Sequence, residues 1–384
     1  MEYRKLGTTG MDASIIGLGC EHLDNKPYEL IKEVIDTSLE QDINILDVFM
    51  PGDEVRHNIG KALGKNRNKV IIQGHIGSVD LREQYDISRD LSVCKRYFEN
   101  LLYTLKTDYI DLGMLFFLDS EEAFSQVFDT EIITYVQNLK RDGIIRGIGA
   151  SSHNPLIASK VVNTGIIDVL LFSINPAFDM TPVDVNTLDV LGSEDFGKSN
   201  LVGIDPDRAS LYRLCEQKNV SITVMKTLCA GKLLTAEQSP FKSPMNVGQC
   251  IHYALSRPGV ASTLIGCKSR EEVLDAVGYL NLSNEQRDYS SIISGIKRRF
   301  DGDCVYCNHC LPCPSDIDIA MVNKYLDIAK LDEKNIPPSI SSHYRALPHK
   351  ADECISCGNC ESKCPFSVPV IQNMAKAAKL LGPS

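Results

Sequence analysis

Short apolar runs alternate with amphipathic stretches of helical period through about the first 280 residues of the chain. Eight of the runs predict β-strands, at 14–18, 44–48, 69–73, 109–115, 144–150, 167–174, 220–225 and 262–265. The stretches between them predict helices at 28–40, 54–63, 88–105, 131–141, 155–163, 206–218, 245–256 and 269–279. Buried strands that alternate with helices form a parallel sheet, so the pattern favours an α/β fold and a (β/α)8 TIM barrel. A doubly wound sheet is also compatible with this periodicity.

The segments before and after these alternating strands and helices have their own patterns. The first fifteen residues predict a polar hairpin that turns at Gly7-Thr8-Thr9-Gly10. Residues 284–298 predict a helix that leaves the barrel, and helices are expected at 320–328 and 370–380. We therefore divide the chain into a barrel (1–283), a connecting helix (284–299) and a small helical domain (300–384).

Cysteines dominate the chemistry of the C-terminal domain. Eight of the fourteen lie in two runs that each end in Cys-Pro: Cys304, Cys307, Cys310, Cys313, and Cys354, Cys357, Cys360, Cys364. Three thiolates spaced by two residues can bind one face of a cubane, and the fourth, before proline, reaches a second cluster in two-cluster ferredoxins. A zinc ribbon usually has two ligand pairs with a longer spacer, and paired disulfides belong to exported chains. The sequence therefore predicts two [4Fe–4S] clusters in a ferredoxin-like module.

Composition and charge limit the partners of the chain. The net charge is −10 and no basic stripe with interleaved aromatic residues occurs, which argues against nucleic acid as a partner. No run approaches the ~18 apolar residues of a membrane span. The first residues contain no apolar signal region, and many cysteines without such a signal suit a reducing compartment. We expect a cytoplasmic protein with a small-molecule substrate.

Short motifs along the chain resemble the aldo/keto reductases, in particular a branch with a C-terminal ferredoxin-like extension. They are YRKLG at 3–7, IGLGC at 16–20, IGKAL at 59–63, TDYIDL at 107–112, RGIGAS at 146–151, MKTLCAG at 225–231, and RPGV to IG across 257–266. The resemblance implies a (β/α)8 barrel and reduction of carbonyls with NADP(H). It also implies a site at the C-terminal ends of the barrel strands.

The resemblance implies four catalytic side chains, namely Tyr, Lys, Asp and His, and this sequence retains one of them. Asp47 occupies the Asp position. No tyrosine follows it before Gly60, His75 stands at the Lys position, and Phe116 stands at the His position. Because histidine can move a proton near neutral pH, we expect Asp47 and His75 to form an altered proton relay. Either residue could instead have a purely structural role at its strand end.

The resemblance also suggests a site for the cofactor. Lys268 and Ser269 match positions that hold the 2′-phosphate of NADP, where a positive charge pairs with the phosphate directly. Met225 stands where an aromatic residue would stack on nicotinamide. The expected cofactor-binding residues are Ser151, Leu228, Gly231, Lys268, Ser269 and Glu272.

A hydride carries two electrons, whereas a [4Fe–4S] cluster passes one, and this difference leaves three hypotheses open. The first is an NADP-linked carbonyl or alcohol oxidoreductase that uses Asp47 and His75. The second is a reductase whose clusters feed a flavin or the substrate, with a ferredoxin or flavoprotein as electron donor. The third is an electron-transfer or regulatory protein with a catalytically degenerate barrel.

Overall fold

Eight parallel strands close into a barrel in the computed structural model, which describes residues 1–81, 85–181, 191, 201, 204–294 and 302–382. In chain order the barrel strands are β3 (Ile16–Gly19), β4 (Ile45–Val48), β5 (Ile71–Ile76), β8 (Ile110–Leu115), β9 (Ile145–Ser152), β10 (Val169–Ser173), β11 (Ser221–Met225) and β12 (Val260–Gly266). β12 pairs with β3 and completes the ring. The predicted TIM barrel is confirmed, and the doubly wound sheet is excluded because that sheet stays open.

Helices surround the barrel close to their predicted positions. They are Tyr28–Glu40, Asp53–Leu63, Leu91–Leu105, Glu121–Phe128, Glu131–Arg141, Pro155–Asn163, Pro206–Lys218, Val247–Ser256 and Arg270–Gly278, with a short turn of helix at Pro176–Asp179. Side-chain caps fix several starts: Asn154 and Asp205 each accept two backbone N–H groups just before a proline at the first turn. Helix Glu121–Phe128 was not predicted.

An antiparallel hairpin of β1 (Tyr3–Lys5) and β2 (Asp12–Ser14) closes the N-terminal end of the barrel, as the sequence predicts. The Gly7 N–H donates to the Ser221 hydroxyl at 2.7 Å, and a Cβ on Gly7 would lie 2.3 Å from the Asp168 carbonyl oxygen. Apolar side chains of the hairpin and the strands fill the barrel beneath it, among them Leu6, Met11, Leu112, Met114, Val169 and Leu171. The barrel interior is therefore a packed core, and its open end is the C-terminal one.

A second hairpin, β6 (Ser78–Asp80) and β7 (Tyr85–Ile87), follows β5 and was not predicted. The connecting helix expected at 284–299 differs in the described part of the chain. Two short helices, Asn284–Arg287 and Ser290–Ile293, replace its first half, while residues 295–299 lie outside the described residues. Asp288 separates the helices because its backbone is extended and its carboxylate accepts the Ser290 N–H.

The C-terminal module contains helices Ile319–Ala329, Pro338–Ala346, Asn359–Lys363 and Val370–Leu381. It packs on the outer helices near the N-terminal end of the barrel, on the side away from the ends of β4 and β5. Two contacts place it there: Arg257, just before β12, donates to the Val305 carbonyl, and Glu216, near the end of helix Pro206–Lys218, pairs with His343 at 3.5 Å. Across the described residues, no helix combines the length and apolarity that a membrane crossing needs.

Candidate active site and cysteine cavities

Asp47 and His75 meet at the C-terminal ends of β4 and β5. These strands are paired with Asp47 opposite Gln73, so three polar side chains point into one region. The Asp47 Oδ1 atom lies 2.8 Å from His75 Nε2 and accepts a hydrogen bond from Gln73 Nε2 at 2.9 Å. All three side chains are buried. With Nε2–H donated to Asp47, the other ring nitrogen of His75 is left for a substrate, as a base when neutral and as an acid when protonated.

Aromatic rings enclose this pair. The His75 ring meets Phe116 edge-on at 5.3 Å and Phe49 at 6.1 Å between ring centroids, and Phe49 stacks on Phe116 at 5.9 Å. The Nδ1 atom of His75 is buried and has no hydrogen-bond partner. A buried nitrogen without a partner is costly, and a polar group brought against Nδ1 would offset that cost. Phe116, at the family's His position, contributes an apolar wall and no donor.

A second histidine–carboxylate pair follows β9, and the site prediction did not include it. His153 Nδ1 lies 2.9 Å from Asp119 Oδ2, and Asp119 Oδ1 also accepts the backbone N–H of His153 at 2.6 Å. Burial lowers the pKa of His153, and the charges of Lys226 and Arg208 act in the same direction. The sequence signal was a histidine after the fifth barrel strand. Its partner comes from the preceding strand–helix loop and could not be identified from spacing.

The expected cofactor-binding residues lie at or just after the C-terminal ends of β9, β11 and β12, at the same open end of the barrel. Ser151, on β9, is buried, and its hydroxyl already accepts the Phe117 N–H at 2.8 Å. Leu228 and Gly231 follow β11, and Gly231 has φ +84° with open space where a side chain would be.

Lys268, Ser269 and Glu272 form the start of helix Arg270–Gly278. The Ser269 hydroxyl accepts the Glu272 N–H at 3.4 Å, and the Glu272 carboxylate accepts the Lys268 N–H at 2.7 Å. This helix start therefore has a cap of its own, and the exposed Lys268 ammonium remains available to a phosphate. The structure places these residues on the same face as Asp47, which is compatible with one dinucleotide.

The two cysteine runs line two separate cavities, and each cavity contains cysteines from both runs. One cavity is lined by Cys354, Cys357 and Cys360 of the second run and by Cys313 of the first. The other cavity is lined by Cys304, Cys307 and Cys310 of the first run and by Cys364 of the second. All fourteen cysteines are free, so the sulfurs remain available as ligands.

The same backbone conformation recurs in both runs. The residues on either side of the second cysteine have positive φ, namely Tyr306 and Asn308 in the first run and Ser356 and Gly358 in the second. Such turns point successive N–H groups into a concavity that binds anions and occurs in iron–sulfur sites. The residue three positions after the last cysteine, Asp316 or Ser367, also has positive φ. This duplication of backbone conformation was not predicted from the sequence.

Each cavity brings together four cysteines, which is the number of protein ligands that a [4Fe–4S] cluster requires. Within the described residues, no three His, Cys, Asp or Glu side chains lie close enough together to hold one metal ion. A cubane binds each thiolate through a different iron, so its ligands are spread more widely than those of zinc. Burial raises the pKa of the Cys307 and Cys310 thiols to about 12, so these sulfurs are protonated at neutral pH unless a metal replaces the protons.

Comparisons with known proteins agree with the barrel. No family model matches the chain. The uncharacterized oxidoreductase YqkF of Bacillus subtilis (strain 168) is 27% identical over 290 residues, which are 73% of this chain and 92% of that protein. The aldo-keto reductase AKR11C1 from Bacillus halodurans has a TM-score of 0.61 in its holo form, at 20% identity over 78% of this chain and 97% of its own. The apo form of the same protein has a TM-score of 0.55, over 78% of this chain and 96% of its own. The chain therefore has the barrel fold of these aldo-keto reductases.

Proposed function

We propose that this chain is an iron–sulfur oxidoreductase of the aldo-keto reductase type, which reduces a carbonyl or related small molecule. The observation that carries the proposal is the pair of cavities, each lined by three cysteines of one run and the fourth of the other. In two-cluster ferredoxins the cysteine before proline belongs to the other cluster, and the cavities reproduce that exchange. Bound [4Fe–4S] clusters would supply one-electron transfer.

Similarity supports the oxidoreductase part of the proposal. The curated relative is named as an oxidoreductase, and the similar structures are aldo-keto reductases. The cofactor proposed for the barrel is NADP(H), bound near Gly231 and by Lys268. A hydride from the nicotinamide would add to the carbonyl carbon. The carbonyl oxygen would then need a proton from a nearby donor.

His75 is the proposed proton donor. Asp47 orients the imidazole through Nε2, which directs Nδ1 away from the carboxylate. A carbonyl oxygen bound at Nδ1 would receive the proton as the hydride reaches its carbon, and the reverse transfer would oxidise an alcohol. The Phe49 and Phe116 rings around His75 favour a substrate with an apolar group beside the carbonyl.

The position of the cysteine module bears on the electron path. The first cysteine run packs near the N-terminal end of the barrel, while His75 lies at the C-terminal end. The strand β12 alone, from Val260 to Gly266, rises by ~20 Å at about 3.3 Å per residue. This separation favours hydride chemistry at the barrel opening over direct electron transfer from a cluster to a substrate beside His75. A ferredoxin or flavoprotein is then the expected partner of the clusters, and a bound flavin would be needed to join the two paths.

The test is an anaerobic titration of the cluster-loaded protein with NADPH, followed by visible absorbance and nucleotide fluorescence. Enhanced NADPH fluorescence together with turnover of test aldehydes supports the proposal. Bleaching of the cluster band by NADPH would indicate that an electron carrier connects NADPH with the clusters. If NADPH does not bind while dithionite bleaches the clusters, the barrel is catalytically degenerate. The chain would then be an electron-transfer or regulatory protein.

A further inference from the structure

A buried arginine of the barrel contacts the first cysteine run. Arg257 ends helix Val247–Ser256, is 2% exposed, and donates through Nη2 to the Val305 carbonyl oxygen. Val305 lies between Cys304 and Cys307. The Tyr289 hydroxyl donates to the same carbonyl at 2.9 Å and accepts from Arg257 at 3.0 Å. Two donors thus converge on one backbone oxygen of the run, and they are hydrogen-bonded to each other.

Packing fixes the guanidinium in this position. It lies over the Tyr253 ring at 4.4 Å and the Tyr306 ring at 5.1 Å, and Tyr306 belongs to the same run. Its Nε donates to the Tyr253 carbonyl at 3.2 Å, and its Nη2 also donates to Ser256 at 2.9 Å. A charge held this firmly and shielded from water acts on its surroundings more strongly than an exposed one.

The environments of the two runs differ. Val305, Tyr306 and Cys307 are buried against the barrel, whereas Ile355, Ser356 and Cys357 at the corresponding positions of the second run are exposed. Burial disfavours adding an electron to a cluster that is already negative, and a nearby positive charge favours it. The first run is therefore both the more buried of the two and the one that Arg257 contacts.

We propose that Arg257, supported by Tyr289, is a positioning residue that raises the reduction potential of the cluster bound by Cys304, Cys307, Cys310 and Cys364. It holds the loop through the Val305 carbonyl and offsets the loss of hydration with its charge. The barrel thereby sets the reduction potential of this cluster. The cluster proposed for the other cavity lies beside the exposed second run. This inference rests on the proposed function, because it requires that clusters bind.

The experiment is an anaerobic titration with dithionite, which supplies one electron to each cluster, followed by electron paramagnetic resonance. Two variants separate the clusters. C357A keeps all four cysteines of the cavity that contains Cys304, and C307A keeps all four of the cavity that contains Cys354. We expect R257M to lower the potential in the C357A background and to leave it unchanged in the C307A background. R257K keeps the charge and should restore most of the potential.

Lys363 provides the matched control, because it also donates to a carbonyl of the first run, Leu311, at 3.3 Å, but is exposed. K363M should leave the potential unchanged. Unchanged potentials in R257M, or equal shifts in both backgrounds or in K363M, would overturn the inference. If R257M loses its iron, Y289F replaces it: a fall confined to the C357A background supports the inference, and no shift overturns it. Absence of iron from the unsubstituted protein would instead refute the proposed function.

Discussion

At the residue scale, the candidate active site depends on a few atoms held at the ends of two strands. Asp47 Oδ1 accepts from both His75 and Gln73, so the imidazole has one orientation and one free nitrogen. The sequence indicated both Asp47 and His75 because the resemblance to the aldo/keto reductases assigns catalytic positions to them. Asp119 escaped notice because its contact with His153 joins two loops whose geometry only the structure defines.

Replacement of His75 tests its role as proton donor. We expect H75Q to lower kcat for NADPH-dependent aldehyde reduction by about 10²-fold or more, since a positioned general acid typically contributes that much. D47N should lower it less, because the amide oxygen can still accept from His75 while the charge is lost. H57Q, at an exposed helix position, is the control. Equal kcat values for H75Q and H57Q would rule out the assigned role.

His252 makes stability depend on pH. Burial lowers the pKa of His252 to about 4, and the nearby charges of Arg287 and Arg257 act in the same direction. The unfolded chain takes up a proton near pH 6.5, whereas the folded chain does so only near pH 4. Stability is therefore lost as the pH falls from 6.5 to 4, by up to about 3 kcal/mol from this group.

The variant H252Q should make the free energy of unfolding less dependent on pH over this interval. Urea denaturation at several pH values measures it, with H57Q as the exposed control. A pH dependence in H252Q as steep as in the unsubstituted protein would contradict the assignment to His252.

At the element scale, a buried carboxylate joins three helices under the open end of the barrel. Asp179, at the end of helix Pro176–Asp179, accepts from Arg208 Nε at 2.9 Å and from the Tyr212 hydroxyl at 2.5 Å. The Tyr253 hydroxyl, on helix Val247–Ser256, donates to its other oxygen at 2.8 Å. This network holds neighbouring loops of the candidate site in register.

Removal of the carboxylate should destabilise the fold strongly. D179A leaves the Arg208 charge buried without its partner, and such losses cost about 3–5 kcal/mol. D36A removes a carboxylate from an exposed pair with Lys32 and should cause no measurable change. Urea denaturation compares the two variants. A similar small effect of both substitutions would show that Asp179 does not stabilise this region.

The elements themselves were largely predictable. Helices Tyr28–Glu40, Glu131–Arg141, Pro155–Asn163 and Pro206–Lys218 begin and end at the predicted residues. A side-chain cap precedes each of the last three, and Tyr28–Glu40 begins directly after Pro27. Helix Glu121–Phe128 was missed since a second helix follows it almost at once, and the combined segment reads as one loop and one helix. The split at Asp288 depends on a local side-chain contact that periodicity does not reveal.

At the scale of the whole molecule, the barrel and the cysteine module present their chemistry at different ends. The sequence predicted both parts but could not show their relative placement, which depends on buried contacts such as Arg257 with Val305. The direct route from clusters to the barrel opening is correspondingly long. The exposed second run is the part of the module that an external electron carrier can approach most closely.

The exchange of cysteines between the two runs can be tested with double variants. Cys307 and Cys364 line one cavity, so C307A/C364A should damage one cluster and retain about four iron atoms per chain. Cys313 lines the other cavity, so C307A/C313A should damage both clusters and retain almost no iron. C267A, a barrel cysteine outside the runs, is the control. The opposite order of iron contents would show that each run binds its own cluster.

The proposed function requires that the C-terminal module carry two [4Fe–4S] clusters beside a barrel of the aldo-keto reductase fold. The most direct measurement is the iron, acid-labile sulfide and zinc content of the full chain purified without oxygen. We expect about eight iron and eight sulfide per chain with no zinc, since each cubane holds four of each. Zinc without sulfide, or disulfide-bonded cysteines without metal, would contradict it.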